Sequence, residues 1–201
     1  MRTLSWTMKA GEPLTGDLDI DAIHAWTPKE DTLKGMFFSD MVAMLDAATW
    51  DGLKPKLDQP PKLGKYVPFS EYPIRDLQLI QREVVKRRFS KLGLREGYRQ
   101  LGRIAIETFR KSTVGTVIFA TLHDPMAALK KYPEARNLLT RAGHVSTEPV
   151  AAREATVRYV GFHGIAEYDA GVLEAVVMHF KETPSAKVQV DGEDSSYTLR
   201  W

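Results

Sequence analysis

The chain contains no cysteine. That excludes disulfides, thiolate metal sites and a cysteine nucleophile, and makes a reducing cytoplasm the expected compartment. Long apolar runs are also missing, and so is a basic-then-apolar N-terminus; neither a membrane span nor a signal peptide is expected. Neither sign of charge dominates. Lys and Arg total 28 against 26 Asp and Glu, a net charge of +2, too small for a field that would draw nucleic acid or a membrane surface. No internal repeat is present. No glycine fingerprint follows a strand and opens a helix, so no dinucleotide or phosphate loop is indicated. Ser39-Asp40 and Ser195-Ser196 lack the glycine frame of a nucleophile elbow. The five histidines, His24, His123, His144, His163 and His179, form no pair at metal-ligand spacing.

What is present suits a folded domain. At 201 residues, 43% hydrophobic and 27% charged, the chain can bury roughly 70% of the surface that its unfolded form exposes. Its closing stretch is the most regular. Asp169 stands as an N-cap, and Val172, Leu173, Val176, Val177 and Phe180 make one helical stripe. Pro184 stops that helix. Val188 and Val190 then alternate with polar residues, Asp191-Gly192 turns, and Tyr197, Leu199 and Trp201 alternate again, which reads as a strand pair with a tied-down end.

Upstream, Met1 to Gly16 forms a separate N-terminal segment. There Leu4, Trp6 and Met8 alternate as a short edge strand. Asp17 to Trp201 reads as a single domain. A first helix is expected over Leu33–Thr49, capped by Asp31 or Thr32, with a methionine-rich face that suits core packing. Asp51 to Gly64 is loop-like. A second helix spans Ile74–Leu92, with a basic outer face from Arg82 to Lys91 that reads as solvated. A third spans Leu94–Lys111, where Gly97 and Gly102 imply close approach of another backbone. Val114–Leu122 is nearly all apolar and should be buried. Met126–Tyr132 and Glu134–Ala142 are two short pieces divided by Pro133. Glu154–Val160 alternates as a half-buried strand, with a weaker strand near His144–Val150. The order predicts an α+β fold in which about five or six N-terminal helices pack on a small antiparallel C-terminal sheet.

Several ordered motifs carry a resemblance. They are Leu33-Lys34-Gly35-Met36-Phe37-Phe38, Tyr72-Pro73-Ile74-Arg75-Asp76, Leu101-Gly102-Arg103, Ser112-Thr113-Val114-Gly115, Gly171-Val172-Leu173 and terminal Leu199-Arg200-Trp201. In this order, over Asp17 to Trp201, the chain resembles a paralogous family of uncharacterised proteins best known from myxobacteria. More distantly it resembles the heme–nitric-oxide-binding domain and the related 4-vinyl-reductase and TRAPP-subunit group. Those domains share a Lys-Gly-aliphatic-aromatic helix followed by tryptophan, here Lys34 to Phe37 and Trp50, and a closing glycine-containing helix with a strand pair.

That second resemblance implies a heme, with His123 at the axial position. It also aligns Tyr159-Val160-Gly161-Phe162-His163 with the sensor's Tyr-x-Ser-x-Arg, which holds the heme carboxylates. Tyrosine is kept as Tyr159, but serine and arginine are replaced by Gly161 and His163. A guanidinium supplies a permanent bidentate charge that neutral histidine does not.

No acid, base and nucleophile set can be assembled. The expected function is therefore a non-enzymatic signalling domain that senses a small apolar ligand or docks on a protein partner, with no cofactor, nucleic acid or membrane involved. Formation of a homodimer is left open. The alternative is a heme-based gas sensor using His123, Tyr159 and His163.

Overall fold

A computed structural model describes residues 3–201 of the chain; Met1 and Arg2, the start of the expected N-terminal segment, lie outside them. The chain begins with β1 (Thr3–Lys9), α1 (Ile20–Trp26), β2 (Thr32–Lys34), α2 (Gly35–Val42) and α3 (Ala47–Leu53). It continues with β3 (Glu71–Pro73), α4 (Ile74–Arg88), α5 (Leu94–Lys111), α6 (Thr113–Ala120) and α7 (Pro125–Leu139). It closes with β4 (Thr140–Arg141), β5 (His144–Ala151), β6 (Glu154–Val160), α8 (Ala166–Met178), β7 (Ser185–Asp191) and β8 (Asp194–Arg200). The fold is α+β, with a helical half packed against a mainly C-terminal antiparallel sheet.

That sheet runs in the order β1-β7-β8-β6-β5, all antiparallel. Period-two alternation builds it: Val157, Tyr159, Val188, Tyr197 and Leu199 all point to one face and are fully buried. Trp201, expected in the core, is only half-buried and packs at its margin. β1 adds the N-terminal segment to the sheet edge, pairing Thr3 with Asp191 at one end and Lys9 with Ser185 at the other. A second, three-stranded sheet in the order β3-β2-β4 has no counterpart in the sequence reading.

Two apolar cores result. One lies between the large sheet and α8, the other among α2, α3, α4 and α5. Helices α5 and α8 form the seam between them. They run in the same direction, Arg95 reaching Glu167 near their starts and Arg110 meeting His179 near their ends. Their backbones touch because Gly102 and Gly171 carry no side chain. A Cβ on Gly102 would lie 2.0 Å from the Tyr168 carbonyl oxygen, and one on Gly171 would lie 1.9 Å from that of Arg99.

Four further expectations change. The single helix over Leu33–Thr49 is a strand and two helices. Leu33 pairs with Tyr72 and Thr140 in the small sheet, and Asp46 caps α3 by accepting from the Thr49 amide. Gly35 begins α2 where a Cβ would meet the Val67 carbonyl oxygen at 2.3 Å. Pro133 does not divide its segment; α7 is continuous through it. A proline removes the hydrogen bond to the carbonyl four residues back. Here that carbonyl is Leu129, and the Thr147 hydroxyl of β5 donates to it at 2.7 Å.

The third change is α6, which is largely exposed: only Gly115 is buried, and Val117 is 66% exposed. Its apolar residues face two ways, one side toward a cavity and the other toward solvent. The fourth is Asp169. It is not a cap but lies inside the first turn of α8, 5% exposed, because the helix starts earlier at Ala166.

Candidate functional site

At the junction of the two cores lies an apolar cavity of about 140 Å³. Helix α4 contributes Ile74 and Leu77, α5 contributes Ile106 and Phe109, and α6 contributes Ile118 and Phe119. The other wall is α7, the loop before α8, and the first half of α8, through Leu139, Phe162, Ile165 and Val172. The amphipathic periods of these helices converge here, each giving the cavity the edge of its apolar stripe.

Polar groups reach the cavity from both walls: Gln78 and Gln81 come from α4, and the others from the opposite side. Lys131, Tyr132 and Arg136 come from α7, and Tyr168 and Asp169 from α8. The Tyr132 hydroxyl lies 2.7 Å from that of Tyr159, which is fully buried behind it on β6. The Arg136 guanidinium sits over the Phe162 ring, 4.3 Å from its centroid, and 5.6 Å from that of Tyr159. Burial pushes the Asp169 carboxyl up to about 7, against the opposing pull of Arg136. Burial likewise pushes the Tyr132 phenol up to about 12 and raises that of Tyr168. Two buried atoms, Arg136 Nη1 and Asp169 Oδ2, have no hydrogen-bond partner among the described residues. They are two of twelve such side-chain atoms, which also include the Tyr66, Tyr98 and Tyr197 hydroxyls.

The residues singled out from the sequence do not converge on this cavity. His123 lies in the segment between α6 and α7 and does not line the cavity; its neighbour Asp124 caps α7. Tyr159 stands one layer behind the lining. His163 lies at the joint between the halves. Its Nδ1 is 3.1 Å from Asp31, its Nε2 is 3.1 Å from Glu193, and its ring packs edge-on to Trp26. Its carbonyl accepts from the Gln78 amide at 2.9 Å. This is a tie between the helical half and the turn joining β7 to β8, with both ring nitrogens engaged.

Arg136, Asp169 and Tyr132 escaped the sequence reading. Arg136 was hidden because Pro133 appeared to cut its short piece, Glu134–Ala142, off from the one that carries Tyr132. Asp169 was hidden because an acidic residue opening an apolar stripe reads as a cap. One signal was available: a carboxylate three residues before Val172 falls on the apolar side of the same helix, where a solvated cap does not belong.

Solved structures share this arrangement of helices and sheet. An H-NOX protein from S. oneidensis in the Fe(II)NO ligation state matches with a TM-score of 0.67 at 17% identity, over 84% of this chain and 98% of that one. The Fe(II) unliganded H-NOX protein from K. algicida matches with 0.57 at 15%, over 84% and 96%. A mutant of T. tengcongensis H-NOX matches with 0.59 at 16%, over 83% and 92%. The architecture is thus that of the H-NOX fold. The chain itself belongs to the family described as "Protein of unknown function (DUF2378)", whose model matches residues 27–201. No curated protein matches it.

Heme is the group that this fold implies, and the residues present do not fit it. Among the described residues no histidine, cysteine or methionine lines the cavity, although these are the usual axial ligands. Tyr132 and Tyr168 do line it, but both phenols are held protonated, and Tyr132 is already bonded to Tyr159. The volume of about 140 Å³ is also small. A cavity of ~150 Å³ takes a benzene-sized molecule, and pockets for drug-sized ligands begin at ~300 Å³.

Proposed function

We propose that this chain is a non-enzymatic sensing domain whose signal is a small apolar ligand held in the cavity between its two halves. The cavity carries this reading: it is walled mainly by α4 to α8 and is apolar on most of its surface with a few polar groups among the lining, as small-molecule sites generally are. Its position also supports a signalling role. Helix α6 has the cavity on one side and solvent on the other, so its packing depends on what fills the space behind it. The outer face of α6, with Val114 and Val117 exposed, is where a protein partner would read that change. No helix among the described residues is long and apolar enough to cross a membrane. With a net charge of +2, neither nucleic acid nor a membrane surface enters this reading; the cytoplasm remains the proposed compartment.

The heme-based gas sensor is the rival reading, favoured by the fold alone. Native mass spectrometry and an absorption spectrum of protein purified from cells separate the two. The expected result is colourless protein carrying a non-covalent adduct much lighter than a porphyrin, released on denaturation. A sharp Soret band abolished by His123→Ala would replace this reading with the gas sensor.

A further inference from the structure

Two side chains line both the cavity and a groove on the surface. Phe37 of α2 and Phe109 of α5 face the cavity of about 140 Å³ and also a groove of about 410 Å³ between α2, Pro68 and the end of α5. Among the described residues, no other is common to the two linings. The rings stack on each other, with 6.1 Å between centroids and planes 24° apart. They are therefore the partition between the two spaces. Both stand outside the two apolar cores, and Phe37 is only half-buried. Turning its ring takes a change of side-chain rotamer and no movement of a helix. The α4 and α8 walls are different: Leu77 is part of one core and Val172 part of the other.

We propose that Phe37 is a movable partition, and that the ligand is a one-ring aromatic compound with a short neutral polar arm, its ring in the cavity and its arm in the groove. This deepens the small-ligand reading above and rests on it. Size supports it. The cavity of about 140 Å³ is close to the ~150 Å³ that accommodates benzene, so it takes one ring and little more. Joined to the groove of about 410 Å³, it falls in the ~300–1,000 Å³ range of ordinary small-molecule sites. The chemistry divides in the same way. The cavity offers aromatic neighbours in Phe119 and Phe162, whereas the groove adds Ser39, Asp40, Thr108 and Lys111. One carboxylate and one ammonium leave no net charge there, which favours a neutral arm. A hydroxyl both donates and accepts, and so suits either charge and the neighbouring hydroxyls.

Methyl NMR with benzene and 3-phenylpropan-1-ol tests the partition. Met36 lines the groove and not the cavity, and Ile118 lines the cavity and not the groove. Benzene should give intermolecular NOEs to the Ile118 methyls and none to Met36. The alcohol should give NOEs from its ring to Ile118 and from its arm to the Met36 methyl. Its affinity relative to that of benzene should rise about tenfold in Phe37→Ala, because the ligand no longer turns a phenyl ring out into water. The NOEs of the unaltered protein test the joined site even if this variant fails to fold. Contact of the alcohol with Ile118 alone or with Met36 alone, or its exclusion while benzene binds, would overturn the joined site and leave the small-ligand cavity standing. An unchanged relative affinity in folded Phe37→Ala would overturn Phe37 as the partition. Binding of neither compound would overturn both this proposal and the cavity reading beneath it.

Discussion

Two of the places where the chain buries charge are treated differently. At the seam between α5 and α8, Arg99 is 1% exposed and Glu174 is fully buried. Arg99 donates to both oxygens of Glu174, at 2.8 and 2.6 Å, and Arg103 adds a third bond at 3.0 Å. Arg99 also donates to the Lys9 and Glu12 carbonyls and to Glu96, whose carboxylate accepts from the Leu14 amide as well. Arg136 and Asp169, by contrast, share a cavity and leave atoms unpaired. A saturated network fixes the approach of two helices and ties the N-terminal segment to them. The second pair closes no such network. The difference separates a network that fixes helix approach from a pair that contributes no such constraint.

The contrast can be broken at four points. Removing one partner from the saturated network should have the largest effect. Glu174→Ala leaves Arg99 buried and uncompensated and should cost about 3–5 kcal/mol by denaturant unfolding. A cost under about 1 kcal/mol would show that the seam charges are not a unit.

Next is Asp169, whose effect depends on pH. Its carboxyl titrates at about 7 in the folded chain and at about 3.9 when unfolded. The folded state therefore holds the proton more tightly, and stability is lost as pH rises from about 4 to about 7 and is level above that. Arg136 of α7 opposes this shift, Glu167 on the same helix reinforces it, and the phenols of Tyr132, Tyr159, Tyr168 and Tyr197 stay neutral across the range. Between pH 5 and pH 8 the unaltered chain should lose about 3 kcal/mol relative to Asp169→Asn. Parallel pH profiles for the two proteins would contradict a buried, unpaired Asp169.

Gly171→Ala should cost about 1–3 kcal/mol, because the new methyl meets the Arg99 backbone and the helices must separate. A melting temperature equal to that of the unaltered chain would show that the seam is looser than its geometry. Arg136→Met should be smallest, within about 1 kcal/mol of neutral: an unsatisfied donor is removed, and Asp169, whose carboxyl already sits at about 7, takes up a proton instead of standing as an unpaired charge. A loss of several kcal/mol would mean that Arg136 belongs to the fold.

How much of this was legible in the sequence follows the same division. Helix α5 and the sheet strands could be read directly, because apolar period and burial coincide there: Tyr98, Leu101, Ala105 and Phe109 recur at helical spacing and are buried. The closeness implied by Gly102 has its cause in α8. The misreadings fall where a distant residue overrides a local rule. Thr147 supplies the hydrogen bond that lets α7 run through Pro133, and pairing with Tyr72 and Thr140 turns Leu33 from helix to strand. Around the cavity the apolar stripes of α4 to α8 read as ordinary core faces. Nothing in a one-dimensional pattern distinguishes a stripe that meets its neighbour from one that stops short of it.

Whether the space between those stripes is a ligand site is tested most directly by methyl NMR during a benzene titration. A ligand site there predicts saturable shifts confined to Ile74, Leu77, Ile106, Ile118, Leu139, Val172 and their neighbours around the cavity. Shifts that are absent there, or that fall instead on the α2–α4 core around Ile80 and Val84, would contradict it.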